Sequence, residues 1–138
     1  MTNVAMFVWP VRVYYEDTDS GGVVYYANYL KFMERARTEW LRSLGFEQDA
    51  LIRDAGIIFA VRSVEAEYLR PARFNDALTV TAEVVHNGGA SITFRQEVCR
   101  GEEVLCRGKV KIASLDVQTL RPKPAPAGII AAVTQQYD

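Results

Sequence analysis

The chain has 138 residues, 16 basic and 17 acidic side chains and a formal net charge of -1. That length suits one domain over residues 1–138 with a core of its own. The balanced charge, without a basic block, argues against a nucleic-acid partner. No apolar run approaches the ~18 residues of a membrane span, so no span is expected.

The start, MTNVAMFVWPVRV, lacks a basic region followed by a small-residue cleavage site, so no signal peptide is read and a cytoplasmic setting is expected. Cys99 and Cys106, in neighbouring predicted strands, read as buried thiols in a reducing compartment, although they could face each other across a hairpin. With His86 as the one histidine and no Cys-x-x-Cys, a zinc site has no support, and no cofactor or metal is expected.

Val11, Val13 and Tyr15 alternate with Arg12 and Tyr14, which predicts a first strand opened by Pro10. Asp17, Ser20, Gly21 and Gly22 supply turn chemistry. From Ala27 to Leu44 the spacing turns helical: Leu30, Met33, Arg37, Trp40, Leu41 and Leu44 follow three- and four-residue steps, and Phe32 and Ala36 widen the apolar side. A helix of that length, roughly 27 Å, is expected to be largely buried. Arg35 and Glu39 are spaced to pair along it, and Gly45 ends it.

Residues 47–55 predict a short helix or turn ended by Gly56. Ile57 to Leu69 predicts a long strand whose apolar register changes near Arg62, as double-sided burial or a bulge would require. Arg70-Pro71-Ala72 breaks it. Three alternating strands follow, over residues 78–84, 92–98 and 104–112, joined at Asn87-Gly88-Gly89 and Arg100-Gly101-Glu102. Each has one apolar side, which predicts an antiparallel sheet with one dry face. The Pro-rich RPKPAPAG leaves the sheet, and the final IIAAVTQQYD forms a short element or frays. The fold class is α+β, one sheet covered by one long helix.

The stretch Tyr14–Leu44 organises the rest. Acids Glu16, Asp17 and Asp19 precede Gly21 and Gly22 at the opening of the helix. A helix start offers unpaired N–H donors, and glycine lets a ligand approach the backbone. A carboxylate beside a glycine turn that opens a helix makes a candidate reaction centre. On residue type alone Asp19 is equally a helix N-cap.

VRVYYEDTDSGGVVYYANYLKFMERARTEWLR resembles the opening of the YbgC-type acyl-CoA thioesterases, in the 4-hydroxybenzoyl-CoA thioesterase branch of the hotdog fold. The likeness runs through VEAEYLRPARFNDALTV to RPKPAP; its most specific piece is T-D-x-x-G-x-V followed by Y-x-N-Y, Thr18 to Tyr29. It implies five antiparallel strands curled around the long helix. It also implies edge-to-edge homodimers that join as homotetramers, with the site between protomers. The implied substrate is an acyl thioester of coenzyme A or of acyl carrier protein.

Asp19 matches the family's catalytic carboxylate, and the Tyr26 N–H with Gly22 matches its carbonyl-polarising region. Val23, Tyr25, Asn28 and Glu34 are the implied substrate-binding residues, Glu34 equally serving as an ion-pair partner for an arginine. Glu16 and Asp17 are read as turn and charge placement. Many YbgC-type chains have His where Tyr26 stands, so an imidazole role is absent. The basic loop of the hydroxybenzoyl enzyme is replaced by Asn87-Gly88-Gly89-Ala90, leaving Arg70, Arg73 and Lys109 as candidates for the coenzyme A phosphates. The missing His and basic loop also admit an acyl-binding or scaffold protein with little turnover. A hotdog dehydratase fits less well, because His86 sits at a hairpin end.

Overall fold

The computed structural model describes residues 6–137, with side chains through Val133. Strand β1 (Phe7–Arg12) is followed by a 3-10 turn (Tyr15–Asp17) and the long helix α1 (Asn28–Ser43). A short α2 (Gln48–Ala50) continues into a π-turn (Leu51–Ala55). Then come β2 (Ile57–Tyr68), β3 (Ala77–Asn87), β4 (Ser91–Arg100), β5 (Glu103–Asp116) and a terminal helix α3 (Ala127–Tyr137). The sheet order is β1-β3-β4-β5-β2, antiparallel throughout. The α+β hotdog layout expected from the resemblance is therefore present.

Two boundaries differ from expectation. The first strand runs over Phe7–Arg12 rather than from Val11 to Tyr15, with Pro10 inside it opposite Thr79. Proline is tolerated there because β1 is an edge strand and needs no second partner. Phe7, Trp9 and Val11 do alternate inward, but the apolar Val8, 50% exposed, masks the pattern. The chain then leaves the sheet: the Val13 N–H donates to Asp76 O at 3.0 Å, and Tyr15 enters the 3-10 turn. The tail does not fray, since α3 seats Ile129 and Val133 in the core. Asp138 lies outside the described residues.

The predicted helix is α1, buried along Tyr29, Phe32, Met33, Ala36, Trp40 and Leu41. It is not largely buried: Lys31, Glu34 and Arg35 lie on an exposed side in this single chain. The expected Arg35–Glu39 pair gives way to Glu39–Arg42 at 2.6 Å, while the Arg35 guanidinium lies 5.7 Å above the Phe32 ring. Gly45, at φ 93°, ends the helix with left-handed backbone. The helix rests on the sheet closely enough that a Cβ on Gly108 of β5 would stand 2.8 Å from Met33 Sδ. Gly108 thus interrupts an apolar strand pattern because a helix crosses there.

The register of β2 against β5 slips between Val61 and Ser63, the bulge expected near Arg62. Before it Ile57 is buried; beyond it every residue to Tyr68 is exposed. The core forms two clusters. One gathers the first half of α1 with Val11, Val13, Leu78, Val80 and Leu105; the other gathers Trp40 and Leu41 with Phe94, Ile112, Ile129 and Val133.

Cys99 and Cys106 are both free, and they do not face each other: Cys106 lies opposite Val98 and Cys99 opposite Val104. Cys106 is buried and Cys99 half-buried. Burial pushes the Cys106 thiol up to about 11, which leaves it un-ionised and unreactive near neutral pH.

Candidate functional site

Between β1 and α1 the chain folds into a miniature three-stranded ladder. Thr18 bridges Val24, and Val23 bridges Arg73, both antiparallel. The Asp19 N–H donates to Val23 O at 2.9 Å, and the Val24 N–H to Ala72 O at 2.8 Å. Asp19, Val23 and Arg73 therefore stand in one cross-strand row, and residues in a row put their side chains on the same face.

The turn between the first two short strands is the predicted glycine turn. The Gly22 N–H donates to Asp19 O at 3.0 Å, and the Gly21 N–H to Asp19 Oδ1 at 2.8 Å. Gly22 takes φ 80°, a conformation that penalises any Cβ, although none would meet an atom within 4 Å. Gly22→Ala should therefore fold, with about 1 kcal/mol of backbone strain. If Asp19 reacts as the resemblance implies, the variant also loses tenfold or more in thioester hydrolysis. Thermal denaturation and thiol release measured together check both effects.

Asp19 is not the helix cap. α1 begins at Asn28 after Ala27, which makes no side-chain cap, and the Asp19 carboxylate is committed only to Gly21 among the described residues. The acid that supports the local fold is Asp17, which is 6% exposed. Its carboxylate accepts the Tyr14 N–H at 2.8 Å. Its backbone oxygen accepts the Tyr25 N–H at 2.9 Å and the Asn28 side-chain amide at 2.9 Å. Asn28, one of the implied substrate-binding residues, thus turns its amide inward and ties the loop to the first turn of α1.

The opening of α1 is tight. Asn28, Tyr29 and Leu30 donate their N–H groups to Tyr25, Tyr26 and Ala27 carbonyls at 2.8, 3.4 and 3.2 Å. Among the described residues, the Tyr26 and Ala27 N–H groups have no acceptor. These are donors at the positive end of the helix dipole, suited to a developing oxyanion.

Asp19, Gly22, Val23, Tyr25 and Tyr26 come together in this loop. The Tyr25 phenol is raised above its ordinary value, first by its hydrogen bond to Tyr26, and it also feels the negative charge of Asp19. Glu34 stands apart: it is exposed almost two turns further along α1, at the rim of a hollow of about 240 Å³ that includes Leu30, Val61 and Val64. It forms no ion pair among the described residues, although its charge supports that of Arg37, whose guanidinium burial holds below its ordinary value.

Spacing gave no sign of several residues around this loop. Tyr68, at the end of β2, meets Tyr26 edge-on at 5.9 Å and Tyr29 at 5.7 Å, which forms an aromatic wall beside the helix start. The buried Tyr29 hydroxyl accepts the Ala72 N–H at 2.9 Å. Arg100 clamps the 71–76 segment through Asp76 at 2.8 Å and Pro71 O at 3.3 Å, and Glu103 accepts its other bond at 2.8 Å. Local pattern cannot reveal the contacts of Tyr68 with α1, of Tyr29 with Ala72 or of Arg100 with Pro71 and Asp76, whose partners are dozens of residues apart in sequence.

A hollow of about 870 Å³ lies elsewhere, on the charged outer face of the sheet, lined by Glu65, Arg95, Arg107, Lys109 and Lys111. Of the implied residues, Lys109 borders it, while Asp19, Gly22, Val23, Tyr25, Tyr26, Asn28 and Glu34 do not. Among the described residues no helix is long and apolar enough to cross a membrane.

A long helix packed on a five-stranded antiparallel sheet is the hotdog layout. The profile of the thioesterase superfamily matches residues 21–107, more than half of the chain, starting two residues after Asp19. The acyl-CoA thioester hydrolase YbgC of Escherichia coli O6:H1 is 42% identical over 134 residues, 96% of this chain and 99% of that protein. The acyl-CoA thioesterase YbgC of Haemophilus influenzae is 44% identical over 126 residues, 91% of this chain and 93% of that protein. A probable thioesterase from Bartonella henselae superposes with a TM-score of 0.83 at 36% identity, covering 88% of this chain and 100% of that one. The chain belongs to the thioesterase superfamily, in its YbgC-type branch, and is a thioester hydrolase.

Proposed function

We propose that residues 1–138 form a single-domain enzyme that hydrolyses acyl-CoA thioesters to a free acid and coenzyme A. Asp19 is the acid that attacks the carbonyl or deprotonates water, and the Tyr26 N–H polarises the carbonyl oxygen. The observation that carries this reading is one loop holding the Asp19 carboxylate, the Gly22 turn and the unclaimed Tyr26 N–H together at the start of α1. The attack makes a tetrahedral centre whose oxygen takes negative charge. A donor fixed at the helix end stabilises that charge without reorganising. Thiolate then departs. In the attack route the resulting Asp19 anhydride is opened by water; in the base route the product acid forms directly. Val23 and Tyr25 flank the acyl group, Glu34 lies further along the groove, and Asn28 positions the loop.

The assembly we infer is a homodimer built on β2, with dimers pairing into a tetramer. Strand β2 is an uncovered sheet edge whose backbone has one neighbour, β5. Val61, Val64 and Tyr68 along it are 51%, 40% and 44% exposed, an apolar edge that invites a second strand. Such pairing would cover the hollow beside Glu34. The free thiols Cys99 and Cys106 suit a reducing cytoplasm.

A panel of short, long and aromatic acyl-CoAs, with an acyl carrier protein thioester included, tests the substrate class. Release of free thiol from several acyl-CoAs is the expected result. Tight carrier-protein binding without hydrolysis of any thioester would overturn it in favour of a scaffold.

A further inference from the structure

We propose that Arg73 holds the phosphates of the substrate's nucleotide end, with the exposed Tyr15–Phe74 pair beside it as the face for the adenine. This rests on the acyl-CoA reading above and names the group that recognises the coenzyme rather than the acyl chain.

Three candidate cations were legible for this role, and the structure separates them. Arg70 is spent on Glu103 at 3.2 Å. Lys109 lines the hollow on the outer face of the sheet. Arg73 alone of these stands in the cross-strand row with Asp19 and Val23, its side chain issuing from the same face as the Asp19 carboxylate. Two strand spacings put its backbone roughly 10 Å from Asp19. An extended arginine then carries its charge several ångströms further. The arm that joins the coenzyme's sulfur to its pyrophosphate is about a dozen bonds long, roughly 15 Å when extended. A thioester carbonyl at Asp19 therefore leaves its phosphates within reach of Arg73.

The turn that presents Arg73 is held rigidly. Asn75 sits at φ 73°, left-handed backbone for a residue with a side chain, and the strain is maintained by surrounding bonds. The Asn75 N–H donates to Val13 O at 3.0 Å, the Arg73 N–H to Asp76 Oδ2 at 2.9 Å, and Arg12 Nη1 to Asn75 O at 3.0 Å. Arg100 grips Asp76 from the other side at 2.8 Å. Burial alone would raise the Asp76 carboxyl, but its bonds from the Arg73 N–H and Arg100, with their charge, outweigh that and hold it below its ordinary value. Asp76 is thus occupied as an anchor. The Arg73 guanidinium is exposed and makes no ion pair among the described residues. Arg12 and Arg100 add positive charge around the turn.

Phe74 and Tyr15 are 55% and 79% exposed and meet edge-on at 5.9 Å. Phe74 follows Arg73 directly in the chain, and two exposed aromatics at that turn suit a heterocycle attached to phosphate.

The test compares two substrates that carry the same acyl group, one on coenzyme A and one on pantetheine, which has no nucleotide. In Arg73→Ala the KM for the acyl-CoA should rise about tenfold or more while kcat holds, since one charge-assisted contact is lost. The pantetheine thioester should be hydrolysed as by the native protein. Arg73→Lys should recover part of the loss. An acyl-CoA KM left at the native value in Arg73→Ala, or a rise shared by both substrates, overturns the assignment. Calorimetric titration with 3′,5′-ADP reads the same contact without turnover: binding by the native protein that Arg73→Ala loses supports it, and equal binding or none overturns it. Failure to hydrolyse either thioester would instead sink the acyl-CoA reading, with the titration still deciding Arg73.

Discussion

Asp19→Asn should leave a folded protein that releases thiol 10² to 10⁴ times more slowly, the usual span for loss of a positioned acid or base. The substitution isolates charge from structure. The Asp19 side chain makes one bond among the described residues, accepting the Gly21 N–H, and an asparagine oxygen can accept it equally well. The ladder that positions residue 19 uses its backbone N–H and carbonyl, which are unchanged. Thermal stability should therefore stay close to native while kcat collapses. The oxyanion donor proposed above, a backbone N–H at Tyr26, is unchanged, so binding of a non-hydrolysed analogue should persist. A variant that turns over at the native rate would show that this carboxylate takes no part. A variant that unfolds would show that the acid is structural after all. The contrast is Asp17→Asn, two residues away: its buried carboxylate holds the Tyr14 N–H, so that change should lower stability first.

How much of this was legible depended on the range of the cause. The long helix, the four strands after it and the bulge near Arg62 follow from periodicity and punctuation, which act over a few residues. Gly22 and Gly45 were marked by residue type, because only special backbone needs glycine there. Pro10 misled, since its position inside β1 is acceptable only when β1 lies at the sheet edge, a fact of topology. The capping alternative for Asp19 was equally open until the eight residues between it and Asn28 proved to form a ladder and turn of their own. Arg35 and Glu39 had the right spacing, but Glu39 had a second suitor in Arg42 and Arg35 found the Phe32 ring. The residues around the site loop that no spacing marked, Tyr68 and Arg100, owe their roles to contacts across the sheet.

Gln96 extends that lesson into the core, where a glutamine that looked like a core-side position in an alternating strand should prove one of the costliest to change. It is fully buried. Its oxygen accepts Arg37 Nη1 at 2.9 Å, and its amide donates to Met33 O at 3.0 Å and Thr81 O at 3.1 Å. The pairing of β3 with β4 runs through Val80–Val98 and resumes at Glu83–Arg95, skipping the residues between. Across that gap the Gln96 amide on Thr81 O, with the Glu97 N–H on Thr81 Oγ1 at 2.9 Å, replaces ladder bonds and ties α1 to the sheet. Gln96→Leu keeps the volume and removes the bonds, leaving Arg37 with no acceptor in a partly buried place. Unmade buried bonds of this kind cost about 2–4 kcal/mol together, an expected fall in melting temperature of about 10 °C. The double variant Gln96→Leu with Arg37→Leu should recover part of that loss, because removing both partners leaves no stranded charge. Denaturant unfolding of the two variants beside the native protein reads the coupling directly. If Gln96→Leu matches the native midpoint, or the second substitution only adds to the loss, the network is incidental to holding α1 against the sheet.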